Sequence, residues 1–294
     1  MYDIESIYRA TDVSDAIRAL EKDPKAVVIC GGSDVLVKIR EGKLAGCSLV
    51  SIHGLPELSG VSLLEDGTVR IGPANTFAQI AENEIIRSQM PWLGEAADQA
   101  GGPQLRNIGT IGGNVCNGAT SADTAPSLLT LNAKLELMGP KGVRYAALKD
   151  FYAGPGRVKR EAAEVLTAIL ISKADYEGFG GFYIKYAQRN AMDIATIGCA
   201  SAVRLTGDKK TIDQFRIAFG VAAPTPVRCP KTEEMLAGKP VSAETLAMIG
   251  ESVLTEVSPR DSWRASKVFR EQLIRELSRR ATEQAIQRAG GNIS

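Results

Sequence analysis

Apolar and polar positions change period several times along the chain, and each change marks an element. An alternating stretch around Ile7 is followed by Val13, Ile17 and Leu20 at helical spacing behind Asp12 and Ser14, then by the unbroken run Ala26-Val27-Val28-Ile29-Cys30. That order predicts a strand, a capped amphipathic helix and a buried strand, a small β-α-β lobe. Val61 to Ile71 is apolar on both sides of Glu65-Asp66-Gly67-Thr68, whose Asp-Gly pair predicts a hairpin with a type I′ turn. Thr76 caps a predicted helix with Phe77, Ile80 and Ala81 inward, and Trp92 to Ala100 predicts another that stops at Gly101-Gly102-Pro103. A helical pattern covers Pro126 to Leu131, and strands are predicted at Ala133 to Met138, Val143 to Tyr145 and Val165 to Ile171.

A composition shift at Ala174 to Gly181 predicts a domain boundary there. It divides the chain into residues 1–175, with lobes of about 1–57 and 58–175, and residues 176–294. Beyond it Phe182 to Gln188, Ala195 to Leu205 and Ile212 to Val221 predict a three-stranded meander turning at Thr206-Gly207-Asp208. Two helices end the chain. One is capped by Ser242 and runs to about Thr255; the other, from Ser262, puts Val268, Phe269, Leu273, Leu277 and Ala281 on one face with arginines opposite. The arginine face fits either a solvated surface or a dock for an acidic partner. The predicted class is α+β.

Two glycine clusters interrupt these periods. Gly31-Gly32-Ser33-Asp34 closes the Ala26–Cys30 run, and a β-branched run stopped by two glycines is either a plain turn or a loop pressed close to something. Without Cβ atoms, successive amides can point inward as an anion nest, leaving the Ser33 hydroxyl and Asp34 carboxylate for sugar hydroxyls. The second cluster, Gly109-Thr110-Ile111-Gly112-Gly113-Asn114, sits in a stretch from Arg106 to Asp123 nearly free of bulky side chains. Such a stretch is a disordered linker or a loop laid on a ligand. Ile108, Ile111 and Val115 are expected to anchor it to a core, which favours the ligand. Together the clusters suggest a clamp on a dinucleotide, although neither of the common phosphate-loop glycine patterns is present.

Composition narrows the chemistry. A chain of 294 residues with 44% hydrophobic content buries a sizeable core, and a formal charge of +1 offers no electrostatic reason to bind nucleic acid or an anionic membrane. Acidic residues near the N-terminus and the absence of an apolar run of ~18 residues predict a cytoplasmic protein without a membrane span. Cys30, Cys47, Cys116, Cys199 and Cys229 are widely spread with no C-x-x-C pair, so they are expected to be reduced and to hold no metal. The only histidine, His53, follows Leu49-Val50-Ser51-Ile52 and is assigned a structural role. With no titratable cluster for acid–base or nucleophilic work, no catalytic side chain is expected and the chemistry falls to a bound cofactor.

The combination of Gly31-Gly32-Ser33-Asp34, Ile108-Gly109-Thr110-Ile111-Gly112-Gly113-Asn114, Asp123 and Met192-Asp193-Ile194-Ala195-Thr196-Ile197-Gly198 resembles the FAD-binding subunits of molybdenum hydroxylases. Phe219-Gly220-Val221-Ala222-Ala223-Pro224-Thr225-Pro226 and Ser262-Trp263-Arg264-Ala265-Ser266 extend the resemblance over essentially the whole chain, closest to the flavin subunits of bacterial three-subunit xanthine dehydrogenases. The resemblance implies a two-lobed FAD-binding domain followed by a smaller C-terminal domain of a three-stranded antiparallel sheet packed on helices. It implies that Val27, Val28, Ile29, Cys30, Gly31, Gly32, Ser33 and Asp34 wrap the FAD pyrophosphate and ribose, and that Gly109 to Asn114 covers the other side. It further implies that Asp123 bonds the sugar portion, Leu166 touches the ring system and Lys185 lies near the flavin edge. Asp123 also fits a cap for the helix after it, Leu166 a core residue and Lys185 a surface charge. Animal relatives place an aromatic ring on the flavin just upstream of the second cluster; here that stretch reads Gln99-Ala100-Gly101-Gly102.

The implied function is electron transfer. Iron–sulfur and molybdenum-cofactor subunits would be the partners, molybdopterin and iron–sulfur clusters residing on them alone, and FAD would pass a hydride to NAD. The alternatives are a stand-alone flavin oxidoreductase of the same fold and a non-enzymatic scaffold subunit.

Overall fold

The strand that ends in the first glycine cluster is only three residues long, Val27–Ile29, and borrows its order from its neighbours. In the computed structural model, which describes residues 2–293, it pairs in parallel with Cys47–Ser51, and Cys47–Ser51 pairs in parallel with Ile4–Arg9 on its other side. The Val13–Lys22 helix buries Val13, Ala16, Ile17 and Leu20 against this lobe. Asp12 caps it, its carboxylate accepting from the Asp15 amide at 2.7 Å.

A second sheet is antiparallel throughout, in the order Val61–Leu63, Val69–Ile71, Val165–Ile171, Lys134–Gly139 and Gly142–Ala147. Its first hairpin departs from the expected type I′ turn. The Leu64 amide bonds the Thr68 carbonyl and the Gly67 amide bonds the Leu64 carbonyl, and of the loop residues only Gly67 has positive φ. This is the longer hairpin loop closed by a left-handed glycine; a type I′ turn requires positive φ at both central residues.

A third sheet runs Phe179–Tyr186, Ile197–Leu205, Ile212–Gly220, then a short fourth strand, Val227–Arg228, beyond the expected three. All its pairings are antiparallel, and helices Ala243–Leu254 and Lys267–Arg288 cover it. The long helix corrects one expectation. Leu273, Leu277 and Ala281 are buried, but Val268 and Phe269 at its start are exposed. Its arginines pair within the chain: Arg275 with Glu251, Arg279 with Glu276 and Glu283, and Arg280 with Glu276.

The central core is shared between the two halves, because Tyr183, Ala200, Ala202 and Ala218 of the third sheet pack among Trp92, Leu128 and Ile169. Trp92 is fully buried, and its indole N–H donates to the Thr130 hydroxyl at 3.1 Å. Among the described residues, no helix is long and apolar enough to cross a membrane.

Candidate functional site

A cleft of about 670 Å³ opens between the parallel lobe, the second sheet and the loop after Phe179–Tyr186, within the usual size of ligand sites. Gly31-Gly32-Ser33-Asp34 forms one rim. Gly32 has φ +74°, a conformation side-chain-bearing residues rarely adopt, and it turns the chain from the strand into a helix, Val35–Arg40, that the sequence pattern did not reveal. The amides of Gly32, Ser33 and Asp34 donate to no acceptor among the described residues, and Asp34 makes no side-chain capping bond. Backbone donors left open at a concave rim are an anion nest. A Cβ on Gly32 would point at Ile29 and Leu36 rather than into the cleft, so the glycine serves the turn itself.

One helical turn beyond Asp34, the Lys38 side chain lines the same cleft, its ammonium donating to Asn117 Oδ1 at 2.6 Å. No carboxylate lies within ion-pair distance of it among the described residues. The cleft therefore presents both directed donors and a free positive charge.

The second glycine cluster is not the ligand-covering loop expected from its composition. Ile111–Asn117 is a helix, and Thr110 caps it by accepting from the Gly113 amide at 3.1 Å. Its other leading amides are spent as well: Ile111 on the Asn75 carbonyl, Gly112 on Pro73 and Asn114 on Thr110. The cluster works by close packing. A Cβ on Gly31 would sit 1.9 Å from the Ile108 carbonyl oxygen, so the second cluster clasps the first. Burial raises the Cys30 thiol above its ordinary pKa, with the polar groups of Thr110 and the Gly31 backbone opposing. Ile111 and Val115 anchor the helix in the core as expected, whereas Ile108 is exposed because its backbone, not its side chain, makes the contact.

Asp123 precedes the Thr124–Thr130 helix but has helical dihedrals and makes no capping bond. Its carboxylate accepts from Lys185 Nζ at 3.0 Å and from the Tyr183 hydroxyl at 3.1 Å. Lys185 is 7% exposed and also donates to the Gln99 carbonyl at 2.9 Å, tying the strand Phe179–Tyr186 to the Gln99–Gly102 stretch. Burial pushes Asp123 up to about 6, and the Lys185 charge and the two hydrogen bonds hold it from rising further.

Of the residues singled out from sequence, Val27, Val28, Cys30, Gly31, Gly32, Ser33, Asp34, Thr110, Gly112, Gly113, Asn114, Asp123 and Leu166 line the cleft. Ile29 is not a cleft residue and its side chain packs by Gly32, Gly109 packs on Phe77, Ile111 is core, and Lys185 reaches the cleft through Asp123. Lys38, Asn117 and Tyr183 are additions from the structure, and Met192–Ile194, part of the resemblance but given no role by it, also lines the cleft. His53 is exposed and outside the cleft.

Residues 2–173 match the family described as FAD binding domain in molybdopterin dehydrogenase, and residues 182–285 match the CO dehydrogenase flavoprotein C-terminal domain. The chain is 45% identical over 293 residues to the xanthine dehydrogenase FAD-binding subunit of Escherichia coli O157:H7, covering 100% of both chains. It is 34% identical over 228 residues to the nicotinate dehydrogenase FAD-subunit of Eubacterium barkeri, 76% of each. A chain of the carbon monoxide dehydrogenase from Hydrogenophaga pseudoflava superposes with a TM-score of 0.92 at 26% identity, over 98% of this chain and 99% of that one.

Proposed function

Because the chain belongs to the FAD-binding subunits of molybdenum hydroxylases, of the xanthine and carbon monoxide dehydrogenase type, we propose that it holds FAD in the cleft described above as the electron-transfer subunit of a xanthine dehydrogenase-type complex. Bound there, the flavin supplies exchange of single electrons with iron–sulfur clusters of a partner subunit and of a hydride with NAD. The observation that carries the reading is the donor set. Three amides at Gly32, Ser33 and Asp34 without an acceptor among the described residues, with Lys38 lining the same cleft, fit the diphosphate of a dinucleotide.

In this reading the nest fixes the diphosphate, Ser33 and Asp34 face ribose hydroxyls, and Val27, Leu166 and Val165 keep water from an apolar wall. The Asp123–Lys185 pair sets a fixed polar edge for the ring system. Residues 1–175 hold the cofactor, and residues 176–294 close the cleft with Lys185 and the Met192–Ile194 loop. Molybdopterin and iron–sulfur clusters belong to partner subunits.

Stopped-flow mixing tests the reading. The isolated subunit's flavin should be bleached by NADH and untouched by xanthine until the partner subunits are added. Bleaching by xanthine in their absence would overturn the subunit assignment, and a flavin inert to NADH would remove NAD as the acceptor. A smaller effect is expected for Lys38→Met. Losing one charge-assisted contact costs about 1–2 kcal/mol, or roughly 5- to 30-fold in FAD affinity. The loss should shrink as salt rises, and equal titration curves for variant and wild type at low salt would show that Lys38 serves only Asn117.

A further inference from the structure

The loop after Phe179–Tyr186 and the start of the last helix bring together side chains for which a lone soluble chain has no use. Trp263 is 80% exposed and Val268 75%, with Phe269, Tyr186, Met192 and Ile194 exposed around them. The rings are held in place. Tyr186 meets Phe269 edge to face with centroids 5.9 Å apart, and the Arg264 guanidinium lies 4.2 Å over the Trp263 ring. Gln188 Nε2 donates to the Arg264 carbonyl at 3.0 Å and buried Arg270 donates to the Thr196 carbonyl, so loop and helix start form one surface. Contiguous exposed apolar area built from Trp, Tyr and Arg marks a protein docking site.

The same surface is positively charged. Arg270 is buried and Lys267 pairs with Glu271 at 3.7 Å, which leaves Arg260 and Arg264, among the described residues, as the unpaired cations of this segment beside the carboxylate of Asp261. Asp261 is engaged by the Lys267 amide at 2.7 Å, and neighbouring Asp193 by the amides of Gln188, Arg189 and Ile194. Arg270 is held below the usual guanidinium range by burial first, then by the charges of Arg260 and Arg264. Met192, Asp193 and Ile194 are also cleft residues, which places the surface beside the cleft mouth.

We propose that this surface is the docking site of the iron–sulfur subunit, which seats an acidic face on the arginines and receives Trp263 and Val268 in apolar pockets. The proposal rests on the flavin-subunit reading above. Clusters ligated by cysteine thiolates carry net negative charge, the complement of this surface, and a site beside the cleft mouth brings the electron carrier next to the cofactor it must reach.

The test uses the full chain with its FAD and the purified iron–sulfur subunit, comparing wild type with Trp263→Ala/Val268→Asp and, separately, Arg264→Glu. Both sites are on the surface, so flavin content, melting temperature and bleaching by NADH should match wild type. Affinity for the iron–sulfur subunit, measured by calorimetry, should fall at least about 100-fold in the double variant, and the wild-type affinity should weaken with salt. Equal affinities for all variants, or a loss confined to binding of the molybdenum subunit, would overturn the docking assignment. A wild-type chain that holds no flavin or binds no iron–sulfur subunit would instead overturn the reading beneath it.

Discussion

Gly31→Ala should leave the purified protein nearly free of FAD, although it adds one methyl group. That methyl would lie 1.9 Å from the Ile108 carbonyl oxygen and 2.8 Å from its carbonyl carbon, a backbone group with no rotamer to change. Relief requires the first glycine cluster to separate from the segment that clasps it. The same movement turns the Gly32–Asp34 amides out of line. Overpacking of this kind costs about 1–3 kcal/mol, and directed donors lose their value with small misplacement. The expected loss of FAD affinity is therefore at least about 100-fold, with a melting temperature lower by roughly 4–8 °C. Gly32→Ala provides the contrast. Its Cβ would meet only the movable side chains of Ile29 and Leu36, and its penalty is the left-handed φ, about 1–2 kcal/mol. Flavin absorbance per protein should thus rank wild type, Gly32→Ala, then Gly31→Ala. The reverse order of the two variants would mean that the clasp does not set the nest.

The strand-to-glycine turn was legible because a β-branched run meeting Gly31-Gly32 is a local signal. The helices beside it were not. Val35–Arg40 is six residues long and Ile111–Asn117 seven, too short to show a helical period, and such helices persist through tertiary contacts rather than propensity. In the second, glycines at positions 112 and 113 masked the Ile111 and Val115 spacing and the Thr110 cap, so a helix resembled a loop. Asp-Gly at 66–67 signals a hairpin without distinguishing a two-residue turn from the longer loop observed. Val268 and Phe269 continue the apolar face of the last helix past the point where the chain's own core ends. Periodicity records that a face is apolar, not whose surface covers it. The Asp123–Lys185 pair spans 62 positions and has no local signature; only the resemblance pointed to both residues.

Lys185→Met should produce a defect that grows with pH, and the sign follows from Asp123. In the wild type burial has lifted this carboxyl to about 6, with the Lys185 ammonium and the Tyr183 hydroxyl pulling it back down. Removing the ammonium leaves burial opposed only by Tyr183, so the variant's carboxyl titrates well above 6 and is neutral at pH 7. A group whose folded pKa lies above its unfolded value contributes stability that is present below the unfolded pKa and lost as pH rises through the folded one. Raising the folded pKa further makes the variant lose more over that interval. At pH 5 both proteins carry a mostly protonated Asp123 and should melt within a few degrees of each other. At pH 8 the wild type keeps a paired carboxylate, whereas the variant must either hold the carboxyl protonated against the solution pH or bury a carboxylate without its cation. Stranding one member of a buried ion pair costs about 3–5 kcal/mol, roughly 5–15 °C at this chain length. Infrared difference spectra should show the protonated carboxyl persisting at neutral pH in Lys185→Met and not in wild type. Tyr183→Phe, which removes a hydrogen bond and no charge, should shift the titration upward by less. A stability gap between wild type and Lys185→Met that stays constant from pH 5 to 8 would mean that the pair contributes packing alone and that Asp123 carries no titrating charge beside the cleft.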